Sequence, residues 1–248
     1  MDLLNHVIVV TGAAQGIGAA TARLCAQRGG KVYLADLKAD SGEAVAESIR
    51  DAGGDARFIQ TNVSDEEQVR SLMAEIGREA GRIDGMVCAA GILKGAFQQP
   101  EDLATAVYDQ VIDVNLRGSF LCAKYATPLL AKAEHGVIVL LASGAGVIGA
   151  SSSLAYGSSK GGVNGLGMTL AAHLAPRGIR VHVVCPGEIV TEMKLSVVIA
   201  DAERSGRSVE EALATARASM GSPEGVARVL AFLLSDEADH VRGTLFTR

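Results

Sequence analysis

Short apolar runs rich in β-branched residues return along the chain at His6 to Thr11, Lys31 to Asp36, Ala56 to Thr61, Gly85 to Ala89, Gly136 to Ala142 and Ile179 to Cys185. Each is brief and nearly continuous in its hydrophobicity, the pattern of a strand buried on both faces. Longer stretches with helical spacing separate them, such as Ile17, Ala20, Thr21 and Leu24, or Val69, Leu72, Met73 and Ile76. Few folds accept this alternation. Parallel strands need crossovers, and right-handed helical crossovers place a parallel sheet between two layers of helices. The sequence therefore predicts an α/β fold spanning residues 1–248, a single-domain doubly wound parallel sheet, Rossmann-like, with helices on both faces.

No Pro- or Ser-rich linker and no solenoid repeat divides the chain. Only Glu192 to Met220 breaks the rhythm, with charged and small residues at helical spacing and no strand after it. Lying between the sixth strand and a helix expected over Pro223 to Leu234, it reads either as a movable substrate flap or as a surface helical hairpin with no moving role. Composition narrows the class further. A net charge of −5 argues against a nucleic-acid partner, whose phosphates need clustered Lys and Arg. Cys25, Cys88, Cys122 and Cys185 form no C-x-x-C and no His stands at ligand spacing, so neither a disulfide framework nor a metal site is expected. No run approaches the length of a membrane span, and Met-Asp-Leu-Leu-Asn lacks the basic start of a signal peptide. The expectation is a cytoplasmic protein without a membrane partner.

Thr11-Gly12-Ala13-Ala14-Gln15-Gly16-Ile17-Gly18 follows the first strand and opens the first helix. Glycines there let the backbone turn tightly and approach a pyrophosphate, whose charge then sits at the positive end of the helix. Any tight strand-to-helix turn favours glycine, so the loop needs context. Asp36 supplies it, at the end of the second strand, where a carboxylate accepts hydrogen bonds from adenosine ribose hydroxyls and repels a 2′-phosphate. Leu37 beside it and Gln15 in the loop offer no cation for that phosphate. These positions favour NAD as cofactor, the plainer alternative being an Asp that caps the next helix.

Tyr156 and Lys160 stand four residues apart on one face of an expected helix. Ser143 ends the fifth strand, at the carboxyl edge of the sheet where open α/β folds bind ligands. A phenol with a reference pKa near 10 is a poor base at neutral pH, and a neighbouring ammonium favours its ionised form.

Taken in order, these motifs resemble the short-chain dehydrogenase/reductase family from the first strand to about residue 245. The resemblance adds Asn115 in Val-Asn-Leu-Arg-Gly, and Pro186-Gly187 with Thr191. It implies that Tyr156 is the general acid/base, that Ser143 holds the substrate oxygen, and that Lys160 binds the nicotinamide ribose and lowers the tyrosine pKa. It implies too that Asn115 anchors a water-mediated proton relay, and that Ile189 and Thr191 fix the nicotinamide carboxamide. The reaction implied is hydride transfer between NAD(H) and a small-molecule secondary alcohol or ketone. Taken singly, Asn115 reads as a helix cap or kink residue, Ser143 as a strand-end hydroxyl bonding its own loop, and Thr191 as an N-cap.

The sequence also departs from the family. Cys88-Ala89-Ala90-Gly91 replaces the usual Asn-Asn-Ala-Gly, leaving the backbone of Ala90 and Gly91 to serve the cofactor. Asn62, before Val63, stands where an Asp commonly faces the adenine amino group, and its side-chain oxygen is expected to accept that bond. The family's Asp-Gly-Gly-bearing tail does not follow Gly243-Thr244-Leu245. Gly157, Gly161, Gly162, Gly165 and Gly167 load the helix of Tyr156 with residues that weaken it, which implies close contact; the family resemblance puts that contact across a two-fold axis, the plainer alternative being the chain's own sheet. A homo-oligomer, dimer or tetramer, is the expectation. Two other functions stay open: a reductase of 3-oxoacyl groups on an acidic carrier protein, and a non-catalytic NAD-binding sensor. Lys194, Arg204, Arg207 and Arg217 would meet a substrate carboxylate if turned inward, and otherwise form a solvated face.

Overall fold

The structure is a computed structural model that describes residues 2–247. Its 7-stranded sheet runs in the order β3-β2-β1-β4-β5-β6-β7, every neighbouring pair parallel. The strands are β1 (Val7–Thr11), β2 (Lys31–Asp36), β3 (Asp55–Gln60), β4 (Gly85–Cys88), β5 (Val137–Leu141), β6 (Arg180–Pro186) and β7 (Gly243–Thr247). Six match the expected runs within a residue at each end. Order reverses between β1 and β4, which opens a crevice at their carboxyl ends.

Helices cover both faces. On one lie α1 (Gly16–Gln27), α2 (Ala39–Asp51) and α9 (Pro223–Leu233); on the other lie α3 (Glu66–Ala80), α5 (Gly118–Leu130) and α6 (Leu154–Leu174). Strand alternation divides the core accordingly. Val7 and Val9 enter the α3, α5 and α6 side, while Ile8 and Val10 enter the other. Both faces being apolar explains why these strands read as unbroken hydrophobic runs. Capping side chains open three of these helices: Asp65 caps α3, Ser153 caps α6, and Ser222 caps α9 ahead of Pro223.

The helix α4 (Thr105–Ile112) continues through a π-helical turn, Asp113–Arg117, into α5. Between β6 and α9 lie α7 (Glu192–Arg204) and α8 (Val209–Ser219), the helical pair read from Glu192 to Met220. Its two ends meet. Val190 N–H donates to Gly221 O at 2.9 Å, and Gly221 N–H donates to Glu188 O at 2.9 Å.

The opposite end of the sheet holds features that spacing along the chain does not reveal. Arg180 is buried and its guanidinium donates to the carbonyls of Leu233, Ser235 and Ala238, satisfying acceptors left open where α9 ends. Nearby, His135, Asp236 and Asp239 bring ligand-capable atoms within 4.8 Å of one another, with Asp239 already paired to Arg180 at 3.3 Å. Among the described residues no helix is long and apolar enough to cross a membrane.

Candidate active site

A cleft of about 1800 Å³ follows the carboxyl edge of the sheet from Asp36 to the helical pair α7–α8. Every predicted site residue lines it except Asn115: Gly12, Gln15, Gly16, Ile17, Gly18, Asp36, Leu37, Asn62, Val63, Ala90, Gly91, Ser143, Tyr156, Lys160, Pro186, Gly187, Ile189 and Thr191.

At one end the turn after β1 is shaped by close approach. Gly12 has φ +67, and a Cβ there would stand 2.7 Å from the backbone of Ala90, so only glycine fits. Gln15 precedes α1 without a side-chain cap, and no acidic residue occupies the first turn. That combination leaves a positive helix end facing the cleft, suited to an anion. Asp36 is held by the loop it faces: Oδ2 accepts from Ala14 N–H at 3.0 Å and Oδ1 from Lys38 N–H at 2.9 Å. Each oxygen keeps a further lone pair for a ribose hydroxyl.

Sequence reading missed Lys38, which also lines the cleft. Its ammonium donates to Gln15 Oε1 at 2.6 Å and lies 3.8 Å from Glu192 Oε2. A cation therefore lines this end of the cleft after all, brought there by the turn into α2 rather than by the glycine loop. The expectation for Asn62 also changes. Its Oδ1 accepts from both the N–H of Ser64 at 3.1 Å and the Ser64 hydroxyl at 2.8 Å, so this oxygen is engaged within the protein.

The missing amides after β4 have local replacements. Thr11 Oγ1 accepts from Ala90 N–H at 3.4 Å and donates to Val87 O at 3.4 Å, tying the ends of β1 and β4 together. Cys88 and Cys122 lie buried beneath, with the Cys88 thiol pushed up by its contact with Cys122 and by burial.

Tyr156, Ser143 and Lys160 converge in the middle of the cleft. Ser153 accepts from Tyr156 N–H at 3.1 Å and so sets the start of α6. Lys160 Nζ, one turn on, donates to Leu141 O at 2.7 Å and sits 5.6 Å from the centre of the Tyr156 ring. Burial pushes Lys160 down to about 8. Burial likewise raises the Tyr156 phenol, with a hydrogen bond from Ser143 pulling the other way. Burial is the larger of these two influences on the phenol. Ser143 lines the cleft and also bonds its own loop, its Oγ accepting from Ala145 N–H at 3.2 Å. Thr191 is likewise both cap and cleft wall, accepting from Lys194 N–H at 3.3 Å.

Asn115 is fully buried behind the wall, on the π-helical turn. Its Oδ1 accepts from Ile92 N–H at 2.8 Å, while Nδ2 donates to Ile92 O and to Ser159 Oγ, both at 2.9 Å. One side chain thus bolts the segment after β4 onto the helix that carries Tyr156 and Lys160. A π turn placed there frees the backbone from the regular ladder, as such turns do near functional sites.

The glycines of α6 resolve mostly toward the chain's own packing. A Cβ on Gly157 would meet Ser151, on Gly161 the carbonyl of Gly146, on Gly162 the side chain of Leu116, and on Gly167 that of Val183. Gly165 alone of the five has nothing within 4 Å.

At the other end, Phe97 of the segment after β4 packs under Arg204 of α7, the guanidinium 4.8 Å from the ring centre. Phe97 N–H donates to Ser152 O at 2.7 Å, and Ser153 Oγ donates to Lys94 O at 2.6 Å, so two loops close this wall together. The cations considered for a carboxylate are mostly committed: Lys194 to Glu188, and Arg204 and Arg207 to Asp201.

Residues 12–247 match the protein family described as Enoyl-(Acyl carrier protein) reductase. The chain is 39% identical to cis-4-hydroxycyclohexanecarboxylate dehydrogenase of Sinomonas cyclohexanicum, over 97% of this chain and 94% of the relative. It is 34% identical to cyclopentanol dehydrogenase of Comamonas testosteroni, with the same coverage of 97% and 94%. Among solved structures, that of NAD+-bound xylitol dehydrogenase superposes with a TM-score of 0.91 at 30% identity, covering 99% of this chain and 98% of that one.

Proposed function

We propose, from the premise that the chain belongs to the short-chain dehydrogenase/reductase family, that it is an NAD-dependent oxidoreductase interconverting an alicyclic secondary alcohol and its ketone. The observation that carries this reading is the convergence of Ser143, Tyr156 and Lys160 in one cleft with the glycine turn and Asp36. Two similar enzymes are named for ring alcohols, and the mixed small and apolar wall of the cleft suits such a ring.

A nicotinamide dinucleotide, when bound, supplies the hydride donor or acceptor. The chain's residues do the rest. Gly12 to Gly18 and the start of α1 would hold the pyrophosphate, and Asp36 the adenosine ribose. Ile189, Thr191 and the backbone at Ala90, Gly91, Pro186 and Gly187 would border the nicotinamide half. Ser143 Oγ donates to the substrate oxygen, and Tyr156 gives or takes the proton there. Lys160 orients the nicotinamide ribose. Asn115 is a positioning residue on this reading, since its side-chain atoms are spent on Ile92 and Ser159, and a proton relay would have to run beside it. The preference for NAD rests on the Asp36 charge, which Lys38 opposes only in part because that cation is shared with Gln15 and Glu192. A movable role for α7–α8, a cytoplasmic location and assembly as a dimer or homotetramer belong to the same proposal; the open Gly165 and the exposed Met168 on the outer side of α6 are consistent with the last.

A carrier-protein reductase remains the second reading, favoured by the family description. Against it, Lys194, Arg204 and Arg207 at this end of the cleft are paired with the chain's own carboxylates. The test is a spectrophotometric panel of cyclic and open-chain secondary alcohols, ketones and 3-oxoacyl thioesters with NAD(H) and NADP(H). Turnover of ring alcohols with NAD is expected. Turnover confined to thioesters would move the chain to the second reading, and tight NADH binding without turnover of any substrate would make it a sensor.

A further inference from the structure

Tyr156 lies in the first turn of α6, where backbone amides have no partner within the helix. Its N–H donates instead to Ser153 Oγ at 3.1 Å, and its carbonyl accepts from Ser159 Oγ at 2.8 Å. Both serines are fully buried. Neither hydroxyl stops at the tyrosine. Ser159 Oγ also accepts from Asn115 Nδ2, whose side chain is bonded to the backbone of Ile92. Ser153 Oγ donates its one hydrogen to Lys94 O at 2.6 Å. The backbone of Tyr156 is thus tied on both sides to one short stretch after β4, residues 92–94, which lines the cleft.

That stretch leads into a strained turn. Phe97, also on the cleft wall, has φ +63, a left-handed conformation that a bulky side chain rarely adopts. Such a backbone persists only where its surroundings impose it. Two of the imposing contacts come from neighbouring residues on the approach to α6: Ser152 O accepts from Phe97 N–H at 2.7 Å, and Ser153 Oγ holds Lys94 O. Capping a helix asks only for an acceptor. The Ser153 hydroxyl is used in both directions, toward the tyrosine and toward the wall.

We propose that Ser153 is a positioning residue for Tyr156: its hydroxyl locks the strained cleft wall to the catalytic helix, so that wall and phenol keep one fixed relation. This rests on the oxidoreductase reading given above. A misplacement of reacting groups by about 1 Å can lower a rate by about 100-fold, so freeing this link should be felt in the chemical step.

The experiment compares Ser153→Ala with Ser153→Gly. Both remove the hydroxyl, but glycine is much the better helix start, so the alanine variant should melt at the lower temperature. Each is assayed with NAD and the ring alcohol that the unmodified chain turns over fastest, alongside fluorescence titration of NADH. The kcat should fall by about 10- to 100-fold in both variants and agree between them within about threefold, following the hydroxyl rather than the stability. The change should fall on kcat more than on KM for the alcohol, with NADH affinity within about threefold of the unmodified chain, since the Gly12–Gly18 turn is untouched. A kcat close to that of the unmodified chain in both variants, or a loss that follows the melting temperatures, makes Ser153 a helix cap only and overturns the proposal while the oxidoreductase reading stands. An unmodified chain that binds NADH but turns over no secondary alcohol overturns that reading and the proposal with it.

Discussion

The glycine-turn end of the cleft is held mainly by backbone, and the α7–α8 end mainly by side chains. At the first, Gly12 packs on the backbone of Ala90, Ala14 N–H holds Asp36, and the open amide end of α1 faces the cleft. At the second, a cation rests on an aromatic ring, and ion pairs of Lys194, Arg204 and Arg207 link residues within or beside the helical pair. Backbone contacts demand particular residue types, glycine above all. Side-chain contacts can be made by many pairs, so one end is nearly determined by its chemistry while the other admits many residue types.

Substitutions should separate the two ends. Removing the proton donor has the largest effect: Tyr156→Phe is expected to lower kcat by about 10²- to 10⁴-fold, the usual share of general acid/base catalysis. Fluorescence titration should still show NADH binding within a few-fold of the unmodified chain, which separates chemistry from cofactor grip. Asp36→Ala comes next. The ratio of kcat/KM with NAD to that with NADP should drop by about 10- to 100-fold, as a charged hydrogen-bond acceptor is lost and Lys38 is left unopposed. An unchanged ratio would mean that Lys38 already sets the preference.

Arg204→Ala should disturb only the variable end. Losing the contact with Phe97 costs about 0.5–1 kcal/mol, so KM for the alcohol should rise a few-fold with NADH affinity unmoved. Equal changes in both would show that the ends are coupled.

The smallest effect on turnover is expected at His182, which is fully buried in β6, with Nε2 3.5 Å from Arg180 and Nδ1 unpartnered. Burial, then the charge of Arg180 and of Arg242, pushes it down from 6.5 to about 4. A folded pKa below the unfolded one gives stability that is full above pH 6.5 and lost as pH falls through about 4. His182→Leu should therefore flatten the pH dependence of the urea midpoint over that range while neutral-pH turnover stays unchanged.

Sequence made the two ends legible to different degrees for the same reason. Strand spacing, the Gly12–Gly18 turn, Asp36 and the Tyr156–Lys160 pair are local patterns whose geometry follows from helix and strand periods. Lys38 was overlooked because it reaches Gln15 only through the turn into α2. The role of Asn62 was read from the residue type, and only its contact with Ser64 shows which end of the amide is free. Asn115 was legible by resemblance, but its burial behind Ile92 depends on a π turn that no local pattern announces. Most of the α6 glycines pack on Gly146, Leu116 and Val183, all distant in sequence, so their partners too were invisible before the fold.

The joining of Glu188 and Val190 to Gly221 makes the helical pair a cassette. Chain entering and chain leaving stand side by side, so the closure entropy of whatever lies between grows only slowly with its length. Segments of different size and composition can be exchanged at that seam without moving β6 or α9. Two backbone hydrogen bonds thus close the base of the helical pair, and the seam marks where a designer would cut to exchange it.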